Sequence, residues 1–200
     1  MSGCVRVASK ALVRAVAVAA IAAVLAGCFR DPYVGGGLAR ISGNWQIERA
    51  QDRVAGRPIS SAYVFTRRSS HTHVSYPLSA SLQLTCFRKQ PIVKFEFETK
   101  VGANRNSSFG YRFDDRPGRE VPARFLNDFH TVVIEDRADV VRFVDELAAS
   151  ESVYVRIDSL NAGRTATEFQ LNGAAEAIRA GFADCPLTAP APAMQTSALR

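Results

Sequence analysis

The sequence predicts an α+β domain: a mostly antiparallel β-sheet or sandwich, with two amphipathic helices near the C-terminal end covering one side. Three observations carry that expectation. Apolar and polar residues alternate with period two through several stretches between 45 and 113, and again from 153 to 171. Between them Val140, Phe143, Val144 and Leu147 fall at i, i+3, i+4 and i+7, the spacing of one helix face. A second helical pattern, Ile178, Phe182 and Cys185 at i, i+4 and i+7, closes the domain.

The chain of 200 residues opens with a segment of another kind. Arg6, Lys10 and Arg14 precede an uncharged run from Ala15 to Ala26, and small residues follow, which is the order of a secretory signal. That run meets Cys28, Arg30 and Asp31 too soon for a permanent span, which takes about 20 apolar residues. The tetrad Leu25-Ala26-Gly27-Cys28 resembles the lipobox of bacterial lipoproteins: an aliphatic residue, two small ones that admit the signal peptidase, and a thiol that accepts a diacylglyceryl group. The resemblance implies removal of residues 1–27 and a mature chain beginning at an acylated, palmitate-bearing Cys28. Each buried methylene contributes about 0.8 kcal/mol, so two or three chains on that cysteine would hold the protein firmly on a bilayer. Phe29 follows the cysteine, where an Asp commonly favours inner-membrane retention. The expected location is therefore the cell envelope, on the periplasmic face of the outer membrane in a Gram-negative cell.

Removal of the signal leaves 173 residues, enough for one domain with its own core. The formal charge of +6 falls to +3, because the signal holds three basic and no acidic residues. Neither nucleic acid nor nucleotide is an expected partner: the charge is modest, and Gly35, Gly36 and Gly37 neither follow a strand nor open a helix as a phosphate loop does. Cys4 leaves with the signal and Cys28 is acylated, so Cys86 and Cys185 remain as the pair expected to form a disulfide in an oxidising compartment. The alternative, a redox-active pair, usually places its cysteines two residues apart.

Residues 28–40, with Pro32 and three glycines, read as lipidated cysteine and tether; residues 41–185 read as the domain; residues 186–200, rich in Pro and Ala, read as a disordered tail. Within the domain Trp45 and Ile47 begin one strand, and Tyr63 and Phe65 mark the core face of the next. Leu82, Leu84 and Cys86 alternate with polar neighbours, as do Val93, Phe95 and Phe97, with Arg88 to Pro91 as a hairpin connection. Phe109, Tyr111 and Phe113 form another strand before turn signals at Asp114-Asp115 and Pro117-Gly118, and Val132 to Ile134 another. Asp136 is an N-cap for a helix over 137–149. Val153, Val155 and Ile157, then Thr167, Phe169 and Leu171, restore the strand period, and the last helix is expected from Asn172.

Few residues suggest chemistry. His71 and His73 would share one strand face, as two metal ligands should, but nothing nearby in sequence completes a site, so no metal and no cofactor are expected. Asp114 and Asp115 are adjacent on an extended segment and so point to opposite faces before a turn. His130 lacks any nucleophile elbow to serve. Arg67-Arg68 and Tyr111-Arg112-Phe113 mix basic and aromatic residues of the kind that meets anionic groups, although strand alternation explains the second.

The order Leu82-Gln83-Leu84-Thr85-Cys86, Ile92 to Phe97, Tyr111-Arg112-Phe113-Asp114, the helix from Val140 to Leu147, Val155-Arg156-Ile157, Thr165 to Phe169 and Gly173 to Cys185 resembles the TagO/VasI family of type VI secretion-associated envelope proteins. The likeness covers about residues 80 to 185. It implies an envelope accessory protein with no established active site to transfer.

The expected function is that of a membrane-anchored, non-catalytic binding or accessory module, held to the bilayer through Cys28 and meeting an envelope protein or cell-wall partner beside the membrane. One alternative is an envelope enzyme or enzyme inhibitor acting on peptidoglycan or glycans, with Arg112, Asp114 and Arg156 as its site; it requires the three to converge on one concave pocket. A purely structural lipid-tethered domain is the other.

Overall fold

The computed structural model describes residues 38–187 except 53, 55 and 104, so the signal segment, Cys28, most of the expected tether and the tail from 188 lie outside the described residues. The described residues form eleven strands and two helices. Strands β1 (Leu38–Ser42), β2 (Trp45–Gln51), β3 (Pro58–His71), β4 (Val74–Phe87) and β5 (Gln90–Phe97) run as successive antiparallel neighbours. Then come β6 (Ser107–Phe113), β7 (Arg119–Glu120), β8 (Arg124–Leu126), β9 (Thr131–Ile134), helix α1 (Arg137–Ala148), β10 (Ser152–Ser159), β11 (Gly163–Gln170) and helix α2 (Ala174–Gly181). β1 begins three residues inside the expected tether, because Leu38, Ala39 and Arg40 pair with Arg49, Glu48 and Ile47.

All strands belong to one sheet of order β7-β6-β10-β11-β3-β4-β5-β9-β8, every pair antiparallel, with β2 joining β1 to the first half of β3. The sheet curls into a half-barrel. Its two outermost strands, β7 and β8, are joined by only Val121, Pro122 and Ala123, and the steps from Glu120 to Arg124 span at most about 14 Å. Phe95 on β5 and Phe109 on β6 therefore meet across the interior at 5.1 Å between ring centroids. Phe143 of α1 fills the space between the wings, 5.8 Å from Phe95, 4.9 Å from Tyr111 and 5.1 Å from Phe113. The contacts with Phe95 and Tyr111 are edge-on, and such pairs contribute about 0.5–1.5 kcal/mol each beyond burial.

β3 is long enough to serve two neighbours because it is bent in the middle. Its register against β4 shifts between Thr66 and Ser69, one residue looping out as in a β-bulge, and the side-chain parity flips there. Ala62 and Val64 point inward before the bulge, Ser69 and His71 after it. The expected inward pair was Tyr63 and Phe65. Both instead lie on the outer face: Phe65 is exposed, its ring edge-on to Tyr63 at 5.1 Å, and the Tyr63 hydroxyl donates to Glu48 on β2. That hydrogen bond, with some burial and the nearby Glu48 charge, pushes the Tyr63 hydroxyl up to about 12.

α1 matches its expected face, burying Val140, Phe143, Val144 and Leu147, and the Asp136 carboxylate accepts from the backbone N–H of Ala138 and Asp139. α2 begins two residues later than expected, after Gly173 at φ +93. A side chain there would collide with the Ser42 carbonyl, since the turn between β1 and β2 packs on the helix start backbone to backbone. The buried stripe of α2 is Ala174, Ala177 and Gly181, while Ile178 is only half-buried. Small residues let the helix approach closely: a Cβ on Gly181 would sit 2.8 Å from the Leu84 carbonyl. The approach brings Cys185 to Cys86, with Cα atoms 5.9 Å apart, and the disulfide between them fastens the segment after α2 to β4.

Two stability experiments follow from this architecture. The disulfide closes a loop with a sequence separation of 99, so replacing both cysteines by Ala is expected to lower the unfolding free energy by about 2–4 kcal/mol in urea titration. The hairpin between β4 and β5 turns through Arg88 and Lys89 at φ 49 and φ 65, a left-handed pair suited to Asn-Gly. Lys89→Gly is expected to add about 1 kcal/mol, relieving a side chain held in the left-handed region; an unchanged urea midpoint would refute that account.

Candidate functional site

Because Phe109, Tyr111 and Phe113 occupy the inward positions of β6, Gly110 and Arg112 face out; the same parity on β10 turns Val153, Val155 and Ile157 in and Tyr154, Arg156 and Asp158 out. Register sets Tyr154 opposite Arg112, Arg156 opposite Gly110, and Gly110 opposite Glu120. The result is a concavity of about 600 Å³ on the outer face near the β7 edge, lined by these residues with Gly118 and Arg119. Its floor is low because Gly110 and Gly118 carry no side chain: a Cβ on Gly110 would lie 3.1 Å from the Arg119 carbonyl.

The arginines around it are unequally engaged. Arg156 binds Glu120 at 3.0 Å and Asp158 at 2.7 Å, and Asp158 also takes Arg164 at 2.6 Å. Arg119, opposite inward-facing Tyr111, reaches Glu146 of α1 at 3.2 Å. Arg112 makes no ion pair among the described residues; its guanidinium carbon lies 5.9 Å from the Tyr154 ring centroid, and both side chains are exposed. A guanidinium of this kind presents a planar fork of donors suited to a carboxylate or phosphate, with an aromatic ring to hold its plane.

Tyr111, whose side chain points inward, brings no acid–base chemistry to this concavity. Burial above all, with Glu146 adding to it, pushes its hydroxyl up to about 12, and that hydroxyl has no hydrogen-bond partner among the described residues.

Of the three residues expected to form a site, Arg112 and Arg156 line this concavity and Asp114 does not. Asp114, at φ +45, turns the chain out of β6, and its carboxylate accepts from the Ser152 N–H at 2.8 Å, the Ser152 hydroxyl at 3.2 Å and the Glu151 N–H at 3.1 Å. It fastens the end of β6 to the start of β10. Burial pushes its carboxyl up, but the bonds from Ser152 and Glu151, with Arg116 nearby, outweigh that and hold it below the usual carboxylate range. Asp114 therefore does not converge with Arg112 and Arg156, and the carboxylate that lines the concavity is Glu120.

His71 ends β3 and is buried, its Nδ1 2.8 Å from the Thr165 hydroxyl; burial, then His73, lowers its pKa. His73 is not on the strand but in the turn that follows, exposed, with the two ring centroids 5.7 Å apart. No group of three or more His, Cys, Asp or Glu that could hold a metal occurs among the described residues. His71 forms instead, with Ser69, Thr165 and Thr167, a buried polar strip between β3 and β11, Ser69 and Thr167 bonding at 2.7 Å.

Sequence reasoning overlooked Tyr154, Arg119 and Glu120. Tyr154 left one signal, an aromatic at the outward phase of a strand whose other phase is Val153, Val155 and Ile157. Arg119 and Glu120 left none, since a two-residue strand has no period. No helix among the described residues is long and apolar enough to cross a membrane. No protein-family model matches this chain, and neither a curated protein nor a solved structure matches it.

Asp114→Ala is expected to lower stability at pH 7 by about 1 kcal/mol, the worth of lost charge-assisted bonds after solvent screening. A carboxyl whose pKa is lower folded than unfolded stabilises above the unfolded value, near pH 4, and that contribution disappears as pH falls through the folded value. Urea titrations from pH 6 to pH 2.5 should therefore show the variant's deficit shrinking towards acid, whereas a deficit independent of pH would mean that Asp114 acts by shape alone.

Proposed function

We propose that this chain is a lipid-anchored envelope protein whose β-rich domain binds an anionic group of an envelope protein or of the cell wall, without catalysis, as an accessory module linked to a type VI secretion system. Cys28 in the lipobox-like tetrad supports the anchor. Arg112 supports the binding role: a guanidinium without an ion pair among the described residues, stacked beside Tyr154 over a glycine floor, meets the requirements of an anion site. The likeness of residues 80 to 185 to the TagO/VasI pattern supports the secretion link.

The anchor is tested by metabolic labelling with a palmitate analogue. Label is expected on the wild-type chain and not on Cys28→Ala, and a wild-type chain that takes up no label overturns the lipoprotein reading. The binding role is tested by recovery of partners from crosslinked envelopes and by co-sedimentation with purified cell-wall sacculi. A charge-assisted contact contributes about 1.5–3 kcal/mol, so Arg112→Ala is expected to weaken capture by at least about tenfold, with Arg112→Lys in between. Wild-type capture by Arg112→Ala, or no repeated partner and no sacculus binding by the wild type, overturns it. A gene consistently remote from type VI secretion genes removes the secretion link.

A further inference from the structure

Register lines up one end of the sheet. Leu38, where the described chain begins, pairs with Arg49, Arg49 with Ser60, and Cys86 of β4 with Pro91 of β5. One step further out lie Ile59 beside Ala50 and Phe87 beside Gln90, then Pro58 beside Gln51 and the Arg88–Lys89 tip. Continuing the β3–β4 register two residues past Ser61 opposite Thr85 sets Ile59 next to Phe87. Both are large apolar side chains left in solvent, Phe87 55% and Ile59 43% exposed. Near them in the chain stand Arg57, Arg88 and Lys89, all exposed and none ion-paired among the described residues; the Arg88 guanidinium carbon lies 5.4 Å from the Phe87 ring centroid. The acids near this end are Asp52, Glu48, which is engaged by Tyr63, and Asp184.

The opposite end of β3 is built differently: His71 there is buried against Thr165, and the nearby turn between β10 and β11 exposes Leu160. The cationic, apolar end is thus also the end where the ten residues following Cys28 join the fold. Ten residues of chain span at most about 36 Å.

We propose that this end of the sheet rests on an anionic phospholipid surface, Phe87 and Ile59 entering the headgroup layer and Arg57, Arg88 and Lys89 meeting phosphates. The proposal rests on the lipid-anchor reading for the nearness of the bilayer. The chemistry fits on three counts: aromatic residues favour the membrane interface, juxtamembrane cations favour anionic headgroups, and a short tether holds this end within reach. On an acylated protein the contact would orient the domain, leaving the β10–β11 turn pointing away.

Trp45 is the only tryptophan and is fully buried, so a new tryptophan reports its own position. The mature chain with Phe87→Trp is reconstituted in vesicles of phosphatidylglycerol carrying brominated acyl chains, and Leu160→Trp serves as the distal control. At low salt, quenching at Phe87→Trp is expected to be at least about twice that at Leu160→Trp. It should fall to the control level in phosphatidylcholine vesicles, at 0.5 M salt, which shortens the screening length to about 4 Å, and in the Arg88→Glu, Lys89→Glu double variant. Equal quenching at the two positions, or quenching indifferent to headgroup and salt, overturns the proposal. So does a concentration-dependent shift of Phe87→Trp emission without vesicles, which would assign the patch to a second copy of the chain. Mass spectrometry of Cys28, together with the same assay on a mature Cys28→Ser chain, separates the two readings. An acylated protein with an unquenched Phe87→Trp loses the docking and keeps the anchor. An unacylated wild type whose mature chain still shows salt-sensitive quenching in phosphatidylglycerol loses the anchor and keeps the docking.

Discussion

Phe95 and Phe109 sit on strands with four others between them in the sheet order, yet their rings are in contact. A single sheet can bring such strands together only by curling, and three features allow it here. The bulge after Thr66 bends β3 so that β2 and β11 each take one half of it. The three-residue link from β7 to β8 holds the two sheet edges near one another. Phe143 from α1 then fills the enclosed space, burying apolar surface that an open sheet would leave wet. Take away the curl, and α1 has no slot to occupy.

The other helix secures the opposite part of the sheet by different means. α2 presents alanines and a glycine instead of large side chains, so it lies close on β4, and at that distance Cys185 can reach Cys86. Aromatic volume organises one wing and small residues with a covalent link the other. The core runs continuously through both, from Trp45 and Leu84 to Phe113 and Leu147.

The outer face inherits its chemistry from this inner arrangement. With aromatics committed inward on β6 and branched apolar residues inward on β10, Arg112, Tyr154 and Arg156 have only the outward phase available. Most charges on that face neutralise one another in the chain Glu120, Arg156, Asp158, Arg164, and Arg112 is the exception beside the glycine floor. Asp114, its near neighbour in sequence, instead satisfies the backbone at the start of β10.

By itself the sequence determined the local elements wherever one face was uniformly apolar: the alternation on β4, β5, β6, β10 and β11, the stripe and N-cap of α1, and the cysteines that pair. These were legible because burial of a regular element imposes its own period on the residues. Only the tertiary structure decided the phase of β3, where Tyr63 and Phe65 looked like core but Ala62 and Val64 fit the crowded interior, and where one looped-out residue reversed the parity. It alone set the small-residue face of α2, since the pattern of Ile178, Phe182 and Cys185 carries no information about how near a helix must come. It alone separated Arg112 and Arg156 from Asp114 and added Tyr154, Arg119 and Glu120, because a concavity depends on which strands become neighbours, and pairing between strands far apart in sequence leaves no local period to read.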